Sequence, residues 1–199
     1  MTTTMRDALA TYFRDNGFGD DGGYGDAWVD FELGPIPMPF PNTSGRKWAV
    51  RFHDLHHILT GYRTNTVGEL EISAWEIGAG CPNAKTAFVI NLSGLASGMF
   101  FAHARTFAAF RRGLRSRTLY AEDYERTLGE DVEAVRARHV GEPSSPATLG
   151  ERARFVALGL VGTIIGLTFF ALCLPLLPLG LVNVFRKRAR MAREANGTA

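Results

Sequence analysis

The sequence predicts an all-α protein: a compact helical domain followed by a C-terminal hydrophobic membrane segment. Three observations carry that expectation. Apolar residues recur at helical spacing before residue 140, as in Trp48, Phe52, Leu55 and Leu59. Glycine, proline and serine at Gly61, at Gly80 with Pro82, and through 141–150 punctuate those stretches at helix-length intervals. Residues 155–185 then run for 31 positions without a formal charge. A chain of 199 residues holds one domain and a tail. The expected division is 1–140 as the helical domain, 141–154 as a linker, 155–185 as a membrane span or re-entrant hairpin, and 186–199 as a basic tail.

Residues 1–16 place Met5, Ala8, Leu9, Tyr12 and Phe13 at helical spacing without a long apolar core. They read as a first amphipathic helix and not as a secretion signal. The glycine-rich stretch 16–26 lacks a following Gly-Lys-Ser/Thr, and Asp20, Asp21 and Asp26 repel phosphate, so it reads as a flexible surface loop. Prolines at 35, 37, 39 and 41 demand an extended arm that packs Ile36, Met38 and Phe40 along the domain. The next helix takes Thr43 or Ser44 as its N-cap and stops at Gly61. After a turn at 64–66, a second runs over about 67–79. A third long helix is expected over about 84–113. Its stretch 86–104 has no formal charge if His103 is neutral, and Asn91, Ser93, Gly94, Ser97 and Gly98 mark it as a buried helix that lets a neighbour or a ligand chain come close. Arg105, Arg111, Arg112, Arg115 and Arg117 follow as a solvated basic face, or one that meets anionic headgroups. A charged, solvent-facing helix over about 121–138 completes the domain.

The chemistry concentrates at His53-Asp54-Leu55-His56-His57, three imidazoles and a carboxylate within five residues, with Glu69 farther along. Residues four apart on a helix share a face about 6 Å from each other, so His53 and His57 can close on one cation while Asp54 leans in from the side. They project roughly opposite the Trp48–Leu59 stripe. Glu69 has a competing role, because Thr66-x-x-Glu69 is a capping box in which the carboxylate binds backbone instead of metal. His56 lies nearer the core and supports the ligands from behind. His103 and His139 stand alone and read as ordinary core or surface residues. A histidine-box reading of His53, His56 and His57 needs more than the five histidines available.

The pattern His53-Asp54-x-x-His57, eleven residues, then Glu69 resembles the metal-binding signature of the coenzyme-Q-biosynthesis protein four family. The resemblance continues through Leu59-Thr60-Gly61-Tyr62, Gly68-Glu69 and residues 71–76, and more loosely over about 5–140. It implies a mostly helical fold, one divalent metal (Zn or Fe) on His53, Asp54, His57 and Glu69, and a cavity for a prenyl chain. It implies a role in ubiquinone synthesis, acting on a prenylated hydroxybenzoate by oxidative decarboxylation and hydroxylation at the carboxyl-bearing ring carbon. On that expectation Asp54 is catalytic, and Arg105 or a neighbouring arginine orients the ring carboxylate by a bidentate pair. The alternative is a non-catalytic lipid-binding scaffold for other quinone-biosynthesis proteins, with a structural metal.

Net charge of +2 gives no case for nucleic acid. Cys81 and Cys173 are the only cysteines and do not form a disulfide framework. As one straight helix, the charge-free run measures roughly 46 Å against about 30 Å of hydrocarbon. Pro175 and Pro178 therefore suggest a return, and the basic residues after Phe185 prefer the cytoplasmic side. The expected partners are membrane lipids, a prenylated quinone precursor and other ubiquinone-biosynthesis proteins, at the cytoplasmic face of the inner membrane.

Overall fold

A computed structural model describes residues 2–19, 22–29, 32–33, 36–37 and 39–197. Packing divides the chain into two units, Met1–Tyr24 with Gly45–Gly166, and Gly25–Ser44 with Leu167–Ala199. The described residues are predominantly helical, as expected for an all-α protein.

In the larger unit α1 (Met5–Asn16) is capped by the Thr4 side chain and buries Met5, Leu9 and Phe13. Those residues meet Phe52, Leu55 and Leu59 of α2 (Ser44–Thr60), together with Leu119, Val132 and Val135, in one core cluster. A second cluster joins α3 (Thr66–Ala79), α4 (Lys85–Phe101), α5 (His103–Gly113) and the start of α8 (Leu149–Cys173) through Trp75, Leu92, Phe110 and Phe155. Fully burying each such large side chain contributes roughly 1.5–3 kcal/mol. Gly61 ends α2 at φ +76, a left-handed position open to glycine, and its N–H donates to the His57 carbonyl. That turn carries the chain toward α3.

Three expectations change here. The helix expected over 84–113 breaks at Ala102 (φ −145°, ψ 43°), giving α4 and α5. Gly98 lies against Thr106, where an added Cβ would come within 2.4 Å of the hydroxyl. Nor is α4 buried all round: Phe100 and Phe101 are 65% and 83% exposed. The helix expected over 121–138 is two short ones, α6 (Tyr124–Leu128) and α7 (Val132–His139), each capped by an aspartate, Asp123 and Asp131. Both bury part of their surface, through Thr127, Leu128, Val132 and Val135. The third change concerns 141–154, expected as a linker. Thr148 and Glu151 form a capping box, Glu151 N–H to Thr148 Oγ1 and Thr148 N–H to Glu151 Oε2, so α8 begins at Leu149. Glu151 also binds Arg111 and Arg115, and Phe155 is buried, so the unit extends to Gly166.

In the smaller unit, the described residues of the proline arm, 36–37 and 40–41, are extended. Strands β1 (Trp28–Val29) and β4 (Phe40–Pro41) pair antiparallel, as do β2 (Glu32–Leu33) and β3 (Ile36–Pro37). Phe40 packs edge-on against Phe169, so its contact is with the apolar segment. Met38 lies outside the described residues. A 3-10 turn at Leu174–Leu176 leads into α9 (Leu177–Gly197), where Gly180 lies against Trp28 and Pro39. The return expected at Pro175 and Pro178 does not form. Both prolines sit in first-turn positions, where a missing N–H costs little, and Cys173 and Leu177 keep right-handed helical angles. The apolar stretch therefore continues as one helical run, Leu149–Arg190, long and apolar enough to cross a membrane.

Candidate metal centre

One turn apart on α2, His53 and His57 bring their Nε2 atoms to 3.2 Å, and α3 brings in the Glu69 carboxylate. Glu69 Oε2 is 3.3 Å from His53 Nε2, and Oε1 is 3.4 Å from His57 Nε2. Ligand atoms about 2.0–2.2 Å from a tetrahedral zinc stand roughly 3.3–3.5 Å from one another. The two histidine nitrogens stand near that spacing and each Glu69 oxygen meets it against one ring; with one ligand atom from each residue the three lie within 4.8 Å of one another, so this donor set could hold a divalent cation. The capping-box role for Glu69 is not the one adopted. Asn65 caps α3 by accepting from the Gly68 N–H, which leaves the Glu69 side chain to the histidines.

The second nitrogen of each ring fixes its orientation. His57 Nδ1 donates to the Tyr62 carbonyl at 2.9 Å, which leaves Nε2 with a lone pair when the ring is neutral. His53 Nδ1 binds Glu76 Oε1 at 2.8 Å. Glu76 is wholly buried and also holds His56 Nδ1 (2.8 Å), the Tyr120 hydroxyl (2.5 Å) and the Asn91 amide. Burial opposes a charge on Glu76, but the flanking histidines outweigh it and hold the carboxyl well below the usual range. Burial likewise lowers the His53 pKa, and Glu76 and Glu69 outweigh it, raising the value well above the ordinary one. What favours a proton at His53 Nε2 favours any cation there. His56 has both nitrogens engaged, since Nε2 accepts the Leu119 N–H at 2.8 Å. It therefore acts through Glu76, and burial keeps its pKa low.

Asp54 is buried beside this trio and outside it. Tyr24 donates to its Oδ2 at 2.5 Å and Tyr12 approaches Oδ1 at 3.5 Å. Burial raises its pKa. Arg105 stands elsewhere, in a bidentate pair with Glu71 at 2.9 and 2.6 Å, at a cavity of about 290 Å3 shared with Tyr62 and Arg112. A different cavity, about 360 Å3, reaches His57 and is lined by Tyr12, Asn16, Tyr62, Arg63 and Asn65. Sequence reasoning missed Glu76, Tyr12, Tyr24, Asn91 and Tyr120. Only Glu76 had a local signal, seven residues after Glu69 and so on the same face of its helix.

The fold and site define a class: an all-α protein with histidines and a carboxylate at metal-ligand spacing, carrying an apolar helix of membrane-spanning length. Residues 49–143, a little under half of the chain, match the family described as coenzyme Q (ubiquinone) biosynthesis protein Coq4. The matched stretch contains His53, Asp54, His57, Glu69 and Glu76. No curated protein and no solved structure matches the chain.

Proposed function

We propose that this protein is a metal-dependent enzyme of ubiquinone biosynthesis that replaces the ring carboxyl of a prenylated hydroxybenzoate with a hydroxyl. The carbon–carbon bond to the carboxyl breaks and carbon dioxide leaves, a carbon–oxygen bond to the oxygen of water forms, and the two electrons and two protons released reduce dioxygen to hydrogen peroxide. The observation that carries this reading is the His53–His57–Glu69 cluster beside an open cavity, within the stretch that matches the family. Those three residues would hold one divalent ion, with Asp54 beside the trio and outside it. Iron would supply redox chemistry with the oxidant, and zinc would supply Lewis-acid polarisation.

The chain's own groups do the rest. The cavity at His57 takes the ring, and Arg63 pairs with its carboxylate. Arg63 has no ion pair to a carboxylate among the described residues, whereas Arg105 is already held by Glu71. Asp54, its pKa raised and its Oδ2 in contact with the Tyr24 hydroxyl, is suited to hold and release a proton there. The domain works at the cytoplasmic face of the inner membrane, where so apolar a substrate resides.

Metal analysis of the purified protein, paired with quinone extraction from cells lacking it, tests the reading. We expect one equivalent of iron or zinc, low ubiquinone, and an accumulated intermediate that keeps its carboxyl. An Asp54→Ala copy should fail to restore synthesis. Restoration by a folded, metal-free His57→Ala protein would overturn catalysis and leave the scaffold role.

A further inference from the structure

From Phe155 to Gly166, α8 lies antiparallel on α4. Its glycines make the close approach: a Cβ on Gly159 would come within 2.5 Å of the Met99 sulfur, and one on Gly162 within 2.1 Å of the Leu92 carbonyl. Gly166 meets Ser93. The helix is thus part of the larger unit, and the pair presents an outward face of its own. On α4 that face carries Val89, Ile90, Phe100 and Phe101, and on α8 it carries Leu160 and Ile164, all exposed. Exposed apolar residues are ordinary singly, but a contiguous set on two packed helices marks a contact surface.

Two further features say what covers it. Three hydroxyls on these helices are satisfied internally, Ser93 to the Val89 carbonyl, Ser97 to the Ser93 carbonyl and Thr163 to the Gly159 carbonyl. That is what a medium without hydrogen-bonding capacity requires. Basic residues then border the polar end: Arg152 and Arg154 are exposed at the start of α8 and have no ion pair among the described residues. Arg152 lies 5.2 Å over the Phe107 ring. Past this rim α8 continues without a charge into the helix of membrane-spanning length.

We propose that the outward face of the α4–α8 pair is inserted into the acyl layer of a bilayer, with Arg152 and Arg154 among the lipid phosphates. The helical unit is then itself embedded, not suspended on a tether. This rests on reading the long apolar helix as a membrane segment, and the test separates the two. Full-length protein lacking Cys81 and Cys173 receives a single cysteine at Phe101, Ile164 or Glu133, each labelled with an environment-sensitive fluorophore. It is reconstituted in phosphatidylcholine–phosphatidylglycerol vesicles with or without brominated acyl chains. We expect the bromolipid to quench most emission at Phe101→Cys and Ile164→Cys, and none at Glu133→Cys. Quenching at Ile164→Cys with Phe101→Cys behaving like Glu133→Cys overturns the proposal and spares the membrane reading. Absence of quenching at all three sites overturns both. Concentration-dependent cross-linking through Phe101→Cys without bromine quenching would instead make the face an interface between copies of this chain.

Discussion

Glu76 accepts from His53, His56, Asn91 and Tyr120, so a change there disturbs three buried groups and the half-buried His53 at once. Glu76→Gln offers a donor where donors already converge, and it loosens the ring that would aim His53 at the proposed cation. Disrupting such supporting partners costs about 10 to 100-fold in metal affinity. Chelator competition on the folded variant reads this directly, and wild-type affinity would reject the role. Glu76→Ala leaves those donors short of an acceptor, at about 1–3 kcal/mol for each buried group, so a large drop in unfolding free energy should accompany it. Cys81 reports on the same environment from the side. Burial, reinforced by the nearby Glu76 charge, pushes its thiol up to about 12. Against an ordinary thiol near 8.5, alkylation of Cys81 at pH 8 should be on the order of 10³-fold slower in the native protein than in urea. The two histidines were legible because both lie within one helix, where spacing fixes direction. Tyr12, Tyr24, Asn91 and Tyr120 come from four other parts of the chain, and no local pattern announces their convergence.

Helix existence was easier to read than helix ends. The stripe Phe52, Leu55, Leu59 gave α2 correctly, yet the breaks at Ala102 and around Gly129–Asp131 depend on close contacts and caps inside a longer periodic stretch. The beginning of α8 was hidden in a Pro- and Ser-rich run whose composition reads as linker, although Thr148-x-x-Glu151 is a local signal of helix start. Glu151 is held low, to about 2, first by the Thr148 backbone and then by Arg115 and Arg111. Its carboxyl is depressed relative to the unfolded chain, so its contribution is fully present above the unfolded value near 4.3 and fades as pH falls toward 2. Urea melts at pH 6 and pH 2 should therefore show a Glu151→Gln deficit that shrinks with acid. A deficit unchanged at pH 2 would assign the effect to something other than this charge. On the same helix, Gly162→Ala places a Cβ against the Leu92 carbonyl. Overpacking of that kind costs about 1–3 kcal/mol, and thermal unfolding should report a lower midpoint for it than for Gly150→Ala, whose added Cβ meets only the Thr148 hydroxyl at 3.9 Å.

At the scale of the whole molecule, an all-helical chain ending in an apolar segment could be read from composition and periodicity, because both are sums over many residues. How that segment is used could not. Its prolines implied a reversal, but proline stops a helix only where an N–H is needed, and the structure places both at a turn that spares them. One feature of α4 has a kinetic consequence. Its outer side is apolar, and from its inner side Asn91 reaches Glu76 and through it His53, so the thickness of α4, about 10–12 Å with side chains, and the Glu76 carboxylate lie between the exposed face and the histidine cluster. Under the proposed function the substrate is dissolved in lipid, and the quantity that would set turnover is its mole fraction in the plane of the bilayer. Diluting that plane with inert phospholipid should slow the reaction even when the total amounts of protein and substrate in the tube stay fixed.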